Sequence, residues 1–134
     1  DIVDYGCGSG ILAIAALKLG AARALAVDID AQALIATRDN ALRNKIVSNL
    51  TVTSDPALPD QATDLLIANI LAGPLIDLAP RFAAAVRPEG WIILSGILAA
   101  QADAVTAAYR AWFDIALNAT REGWGMLSGR RRAD

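Results

Sequence analysis

The sequence predicts an α/β domain: a doubly wound, mostly parallel seven-stranded sheet with helices on both faces and a C-terminal antiparallel hairpin. Three observations lead there. The apolar run Ile2-Val3 closes on the carboxylate of Asp4. Glycines at alternate positions follow (Gly6, Gly8, Gly10), and the alanine-rich stretch Ile11 to Leu17 begins at once, the pattern of strand, tight turn and helix. Short apolar runs then alternate with helical stretches, as a layered α/β domain requires. The last two runs are separated by Glu122-Gly123 alone, which reads as a hairpin turn.

Composition narrows the function classes. The chain has 134 residues, 55% of them hydrophobic and only 5% aromatic, with a formal net charge of -2, enough for one domain with a buried core. Without a long basic run, affinity driven by a phosphate backbone is not expected, and Arg130-Arg131-Arg132 reads as a solvated tail. The single cysteine, Cys7, has no partner for an internal disulfide, which fits a reducing, cytoplasmic setting; no histidine exists to activate it as a nucleophile or to build a metal site. No signal peptide or membrane-spanning run is evident. The first strand has almost no lead-in, so further N-terminal sequence is expected ahead of Asp1.

The glycine turn points to a nucleotide cofactor. A backbone that bends sharply and touches a ligand has no room for Cβ atoms, and the N–H groups at the start of the next helix face whatever binds there. A dinucleotide fingerprint laid on Gly6 and Gly8 needs its third glycine at position 11, which is Ile11; here it arrives one residue early, at Gly10. A nicotinamide-dependent oxidoreductase is therefore the weaker alternative. Asp4 followed by Gly-x-Gly-x-Gly resembles the first motif of the S-adenosylmethionine-dependent methyltransferases of Rossmann-like fold.

Each element follows in order. The first helix, about Gly10 to Leu19, stops at Gly20. Arg23 to Asp28 is a buried strand ending in an acid, roughly 20 residues after the glycine turn, where this architecture binds the ribose diol. Asp28 is thus the ribose candidate, Ile29 an apolar wall for the adenine, and Asp30 the cap of a helix from Ala31 to about Arg43 whose Leu34, Ile35, Ala41 and Leu42 face the sheet. A loop over residues 44–49 leads to the strand Leu50 to Thr53 and an irregular, proline-limited stretch in which Asp55 is placed to accept from the adenine amine. Asp64 to Asn69 is the fourth strand; it delivers Asn69 to the sheet edge of the glycine turn, where ligands of open α/β sheets bind. A loop over residues 70–73 precedes a helix from Pro74 to about Val86. A turn at residues 87–90, a strand from Trp91 to Gly96 and a helix over about residues 100–111, with Val105, Tyr109 and Trp112 packing inward, lead to the hairpin of residues 115–121 and 124–129.

Three segments together go beyond the superfamily: Asp4-Tyr5-Gly6-Cys7-Gly8-Ser9-Gly10-Ile11-Leu12, then Ala26-Val27-Asp28-Ile29-Asp30, then Asn69-Ile70-Leu71-Ala72-Gly73-Pro74-Leu75. They resemble the bacterial PrmA-type methyltransferases, which modify large-subunit ribosomal protein eleven, and the likeness covers nearly the whole chain. Amine methyltransferases with Pro-Pro-Tyr after the Asn differ here, since this chain has Ile70-Leu71-Ala72. The resemblance implies S-adenosylmethionine as cofactor, its amino-acid part cradled by Gly6, Gly8 and Gly10 with Asp4 supporting the turn, its ribose on Asp28 and its adenine near Asp55. It implies Asn69 as the residue contacting the target amine, amino groups of the ribosomal protein as acceptors, and a separate N-terminal domain as their recogniser. Residues 1–134 would then be the catalytic domain. Methylation of another protein or of a small amine, and a cofactor-binding domain without catalysis, remain alternatives at this point.

Overall fold

The computed structural model describes residues 1–46 and 48–133. Among the described residues it carries seven strands. The chain divides into two compact units, Asp1–Ala57 and Leu58–Asp134.

The first unit carries β1 (Ile2–Tyr5), α1 (Ile11–Lys18), β2 (Ala24–Val27), α2 (Ala31–Arg43) and β3 (Leu50–Thr53). The three strands pair in parallel, Val3 opposite Leu25 and Leu25 opposite Thr51. α1 packs on β1 and β2 and α2 on β3, the two helices touching. α1 ends as expected at Gly20: Ala21 N–H donates to the Ala16 carbonyl and Gly20 N–H to Leu17, the paired bonds that close a helix through a left-handed residue. α2 closes in the same way with Lys45 in the glycine's place. Val47, within the expected 44–49 loop, lies outside the described residues.

One expectation for α2 is corrected. Its buried stripe is Leu34, Thr37 and Ala41, whereas Ile35 is 50% and Leu42 64% exposed. Leu34, Thr37 and Ala41 fall at i, i+3 and i+7; the next residue along lies about 100° round the helix and leaves the stripe.

The second unit carries β4 (Thr63–Asn69), α3 (Ala72–Ala85), β5 (Val86–Leu98), a turn of 3₁₀ helix (Ala99–Gln101), α4 (Ala102–Tyr109), β6 (Phe113–Arg121) and β7 (Trp124–Arg131). β4 and β5 are parallel, and β7 runs antiparallel to both β5 and β6. The turn expected at residues 87–90 is a bulge inside a longer strand: Thr63 pairs with Val86 and Leu65 with Trp91, so four residues loop out, with Glu89 at φ 67°. α3 starts two residues before Pro74, which occupies its first turn. α4 packs on α3, β6 and β7, and the buried Tyr109 hydroxyl donates to the Leu75 carbonyl at 2.7 Å. Val105 and Tyr109 are buried as expected, but Trp112 is only half-buried because Phe113 takes the inner position.

The hairpin turn at Glu122-Gly123 has both residues at positive φ, 52° and 85°, matching the twist of its strands. The three terminal arginines are not a free tail. Arg130 and Arg131 belong to β7; Arg131 donates to the Ala83 carbonyl, and Arg132 to the carbonyls of Arg110 and Phe113. These backbone acceptors, in the last turn of α3 and around the start of β6, give the charge run a structural role that its composition does not reveal. Among the described residues no helix is long and apolar enough to cross a membrane.

Candidate functional site

The glycine turn is held from three sides within the first unit. Gly6 and Cys7 N–H groups both donate to the Val27 carbonyl, tying the turn to the end of β2, and Gly10 N–H donates to the Cys7 carbonyl. No side chain at Gly10 caps α1. Asp4 supplies the cap from the strand instead, its Oδ2 accepting from Ala13 N–H at 3.1 Å. The third side is Asp28, whose Oδ2 accepts from Gly8 N–H and Oδ1 from Asp30 N–H, both at 2.9 Å. Asp28 is half-buried beside the turn, and Ile29 next to it is 86% exposed. Asp30 caps α2 through Gln32 N–H. Asp55 is exposed, and its Oδ1 accepts from Ala57 N–H in a local turn.

Two residues that sequence reasoning missed anchor the same turn. Thr37, fully buried on α2, donates its hydroxyl to the Gly8 carbonyl at 3.0 Å and lies 3.4 Å from the Cys7 sulfur. Asn40, one turn on, donates to the Ser9 carbonyl at 2.9 Å. With the Gly8 carbonyl turned toward α2, the N–H of that peptide, on Ser9, points the other way. The Cys7 thiol is pushed up in pKa by burial, which keeps it protonated and a poor nucleophile.

Asp4 is 1% exposed, and its Oδ1 has no hydrogen-bond partner. Burial pushes its carboxyl up to about 6 from 3.8, against the Ala13 N–H that draws it down, and the Asp28 carboxylate adds to the rise. The folded state therefore holds this proton to a higher pH than the unfolded chain does. The resulting stability is fully present below pH 3.8 and is lost as pH rises through about 6; a shift of about 2 units amounts to about 3 kcal/mol. The melting temperature of Asp4→Asn relative to wild type should accordingly rise between pH 4 and pH 7.5. A difference that does not change with pH would remove Asp4 as the titrating group.

In the second unit Asn69 ends β4 opposite Ser95 of β5 and is exposed. It lines a cleft of about 420 Å³ together with Gly96 and the hairpin residues Thr120, Arg121, Trp124 and Met126. The walls are largely apolar and include no carboxylate among the described residues. A carboxamide at such a wall both accepts and donates hydrogen bonds.

Comparison with known proteins bears on both units. The sequence model of the family described as "Ribosomal protein L11 methyltransferase (PrmA)" matches residues 1–132. The chain is 60% identical over 135 aligned positions to a ribosomal protein L11 methyltransferase of Pseudomonas aeruginosa, covering 100% of this chain and 46% of that protein. It thus spans about half the length of the curated relatives it matches. A crystal structure of a ribosomal protein L11 methylase from Lactobacillus delbrueckii subsp. bulgaricus superposes with a TM-score of 0.85 at 35% identity, over 98% of this chain and 69% of that one. An RNA methyltransferase from Salinibacter ruber, solved in complex with S-adenosyl-L-homocysteine, shares the fold, with a TM-score of 0.77 at 17% identity over 99% and 81% of the two chains. Seven strands ending in an antiparallel hairpin, the glycine turn between Asp4 and α1, and identity across the full sequence lead to one conclusion: this chain belongs to the ribosomal protein L11 methyltransferase family.

Proposed function

We propose that this chain is the catalytic part of a methyltransferase that transfers methyl groups from S-adenosylmethionine to amino groups of large-subunit ribosomal protein eleven. The observation that carries this reading is the 60% identity to a ribosomal protein L11 methyltransferase over the entire chain. The first unit fits the cofactor. A Cβ on Gly8 would meet nothing within 4 Å, so the turn presents an open face of backbone. Beside it stand the half-buried Asp28 carboxylate and the exposed Ile29 side chain. Gly6, Gly8 and Gly10 would hold the amino-acid part, Asp28 the ribose hydroxyls, Ile29 a face of the adenine, and Asp55 the adenine amine.

The cofactor, when bound, supplies a methyl group on a positively charged sulfur. What the chain must supply is alignment, and orienting two reactants accounts for about 7–11 kcal/mol of such a barrier. The Asn69 side-chain oxygen would accept from an N–H of the target amine, turning the amine's lone pair toward the methyl carbon. The amine must be neutral, since an ammonium has no lone pair. Its proton would pass to solvent before transfer.

Incubating the intact protein with S-adenosylmethionine and ribosomal protein eleven should add methyl-sized mass increments to the latter. Increments on other proteins or small amines, with none on ribosomal protein eleven, would reassign the acceptor. Asp28→Ala should weaken S-adenosylhomocysteine binding by about tenfold to a hundredfold, because it deletes an anion that orders Gly8 and meets the sugar. An unchanged dissociation constant by calorimetry would take Asp28 out of the site.

A further inference from the structure

β5 carries a second irregularity, at its far end. Against β7, Leu94 pairs with Leu127 and Ile97 with Gly125, so Ser95 and Gly96 together stand opposite Met126 alone. This is a bulge, the device by which strands re-aim side chains beside functional sites. Gly96 has φ 84°, a conformation other residues rarely adopt. A Cβ built on it would lie 2.6 Å from Asn69 Oδ1, 2.8 Å from the Ile70 carbonyl oxygen and 3.0 Å from the Ile70 nitrogen. The space a side chain would need is therefore filled by the Asn69 carboxamide and the peptide that follows it. Gly96 and Asn69 share the cleft with Trp124 and Met126.

We propose that Gly96 is a positioning residue for Asn69. The bulge turns the Gly96 backbone so that the carboxamide rests against it at the cleft wall, and the missing side chain sets how far Asn69 reaches toward the acceptor. The inference rests on the reading of Asn69 as the contact to the target amine. It adds a specificity for position 96 that no strand propensity requires: alanine, the smallest change, already displaces the group that orients the nucleophile.

A double-mutant cycle in the intact protein tests it, with turnover of ribosomal protein eleven and the S-adenosylmethionine KM measured for each variant. Gly96→Ala should lower kcat about tenfold or more with KM for S-adenosylmethionine within about twofold. In an Asn69→Ala background the same substitution should lower kcat by a clearly smaller factor, since the carboxamide is gone and only the Ile70 contacts and the positive φ remain. Equal losses in both backgrounds would reveal a merely structural glycine and overturn the inference while leaving Asn69 in its role. A normal kcat for Asn69→Ala alone would overturn both. Should Gly96→Ala not fold, Gly96→Asn repeats the cycle, because asparagine accepts positive φ more readily and places the same Cβ against Asn69.

Discussion

Asn69→Ala in the intact protein is expected to lower kcat by about 10²- to 10³-fold, the scale seen when one preorganised polar contact to a reacting group is deleted. The dissociation constant for S-adenosylmethionine should stay within about twofold, because the contact proposed for Asn69 is to the acceptor. Asn69 lies at the last position of β4, in a cleft whose hairpin side is built from Thr120, Arg121, Trp124 and Met126. No other residue in that lining carries a carboxamide. An amine that loses this acceptor can still bind but rotates freely, and the fraction of encounters with its lone pair on line falls. Equal losses of turnover and cofactor affinity would show that Asn69 serves the cofactor and not the acceptor.

The largest effect on stability is expected at Gly10. Its φ is 81°, and a Cβ there would lie 2.7 Å from Thr37 Cγ2 and 3.0 Å from Thr37 Oγ1. Left-handed backbone costs an alanine about 1–2 kcal/mol, and overpacking a filled site costs about 1–3 kcal/mol more. Gly10→Ala should therefore lose about 2–5 kcal/mol, read as a drop in melting temperature, and should lose S-adenosylhomocysteine binding with it. Thr37→Ser removes the nearer contact while keeping the hydroxyl on the Gly8 carbonyl, so it should restore part of that loss. Gly8→Ala separates the two costs: its φ is also positive, but no atom lies within 4 Å of the added methyl. It should lose only the backbone share of stability, yet hinder a ligand on the open face. A Gly10→Ala protein as stable as wild type would mean that α2 does not press on the turn.

Much of this arrangement is legible in the chain because its signals are local. The alternation of Gly6, Gly8 and Gly10 after Asp4, the acid closing β2, and Glu122-Gly123 between two apolar runs each declare their conformation within a few residues. What is not legible depends on which residues a folded helix or strand brings into contact. Thr37 and Asn40 meet the glycine turn from about thirty residues downstream. The available signal was a polar residue set between Leu34 and Ala41 on the buried stripe. Placing Ile35 and Leu42 on that stripe hid it. The bulge at Ser95-Gly96 had a signal as well, a small polar pair inside an apolar strand. The roles of Arg131 and Arg132 had none, because the carbonyls they cap belong to distant segments.

The Asp28 side chain is held before any ligand arrives. Two backbone amides grip its carboxylate, one on either side, while the same anion keeps further lone pairs for a sugar. Its aim is therefore set by the polypeptide itself, so a nucleoside held there, as proposed above, would meet a charge whose orientation was fixed when the chain folded. Association should accordingly show little of the entropic penalty that accompanies ordering a loose side chain, and affinity should be governed by how well the ligand fits a rigid receptor.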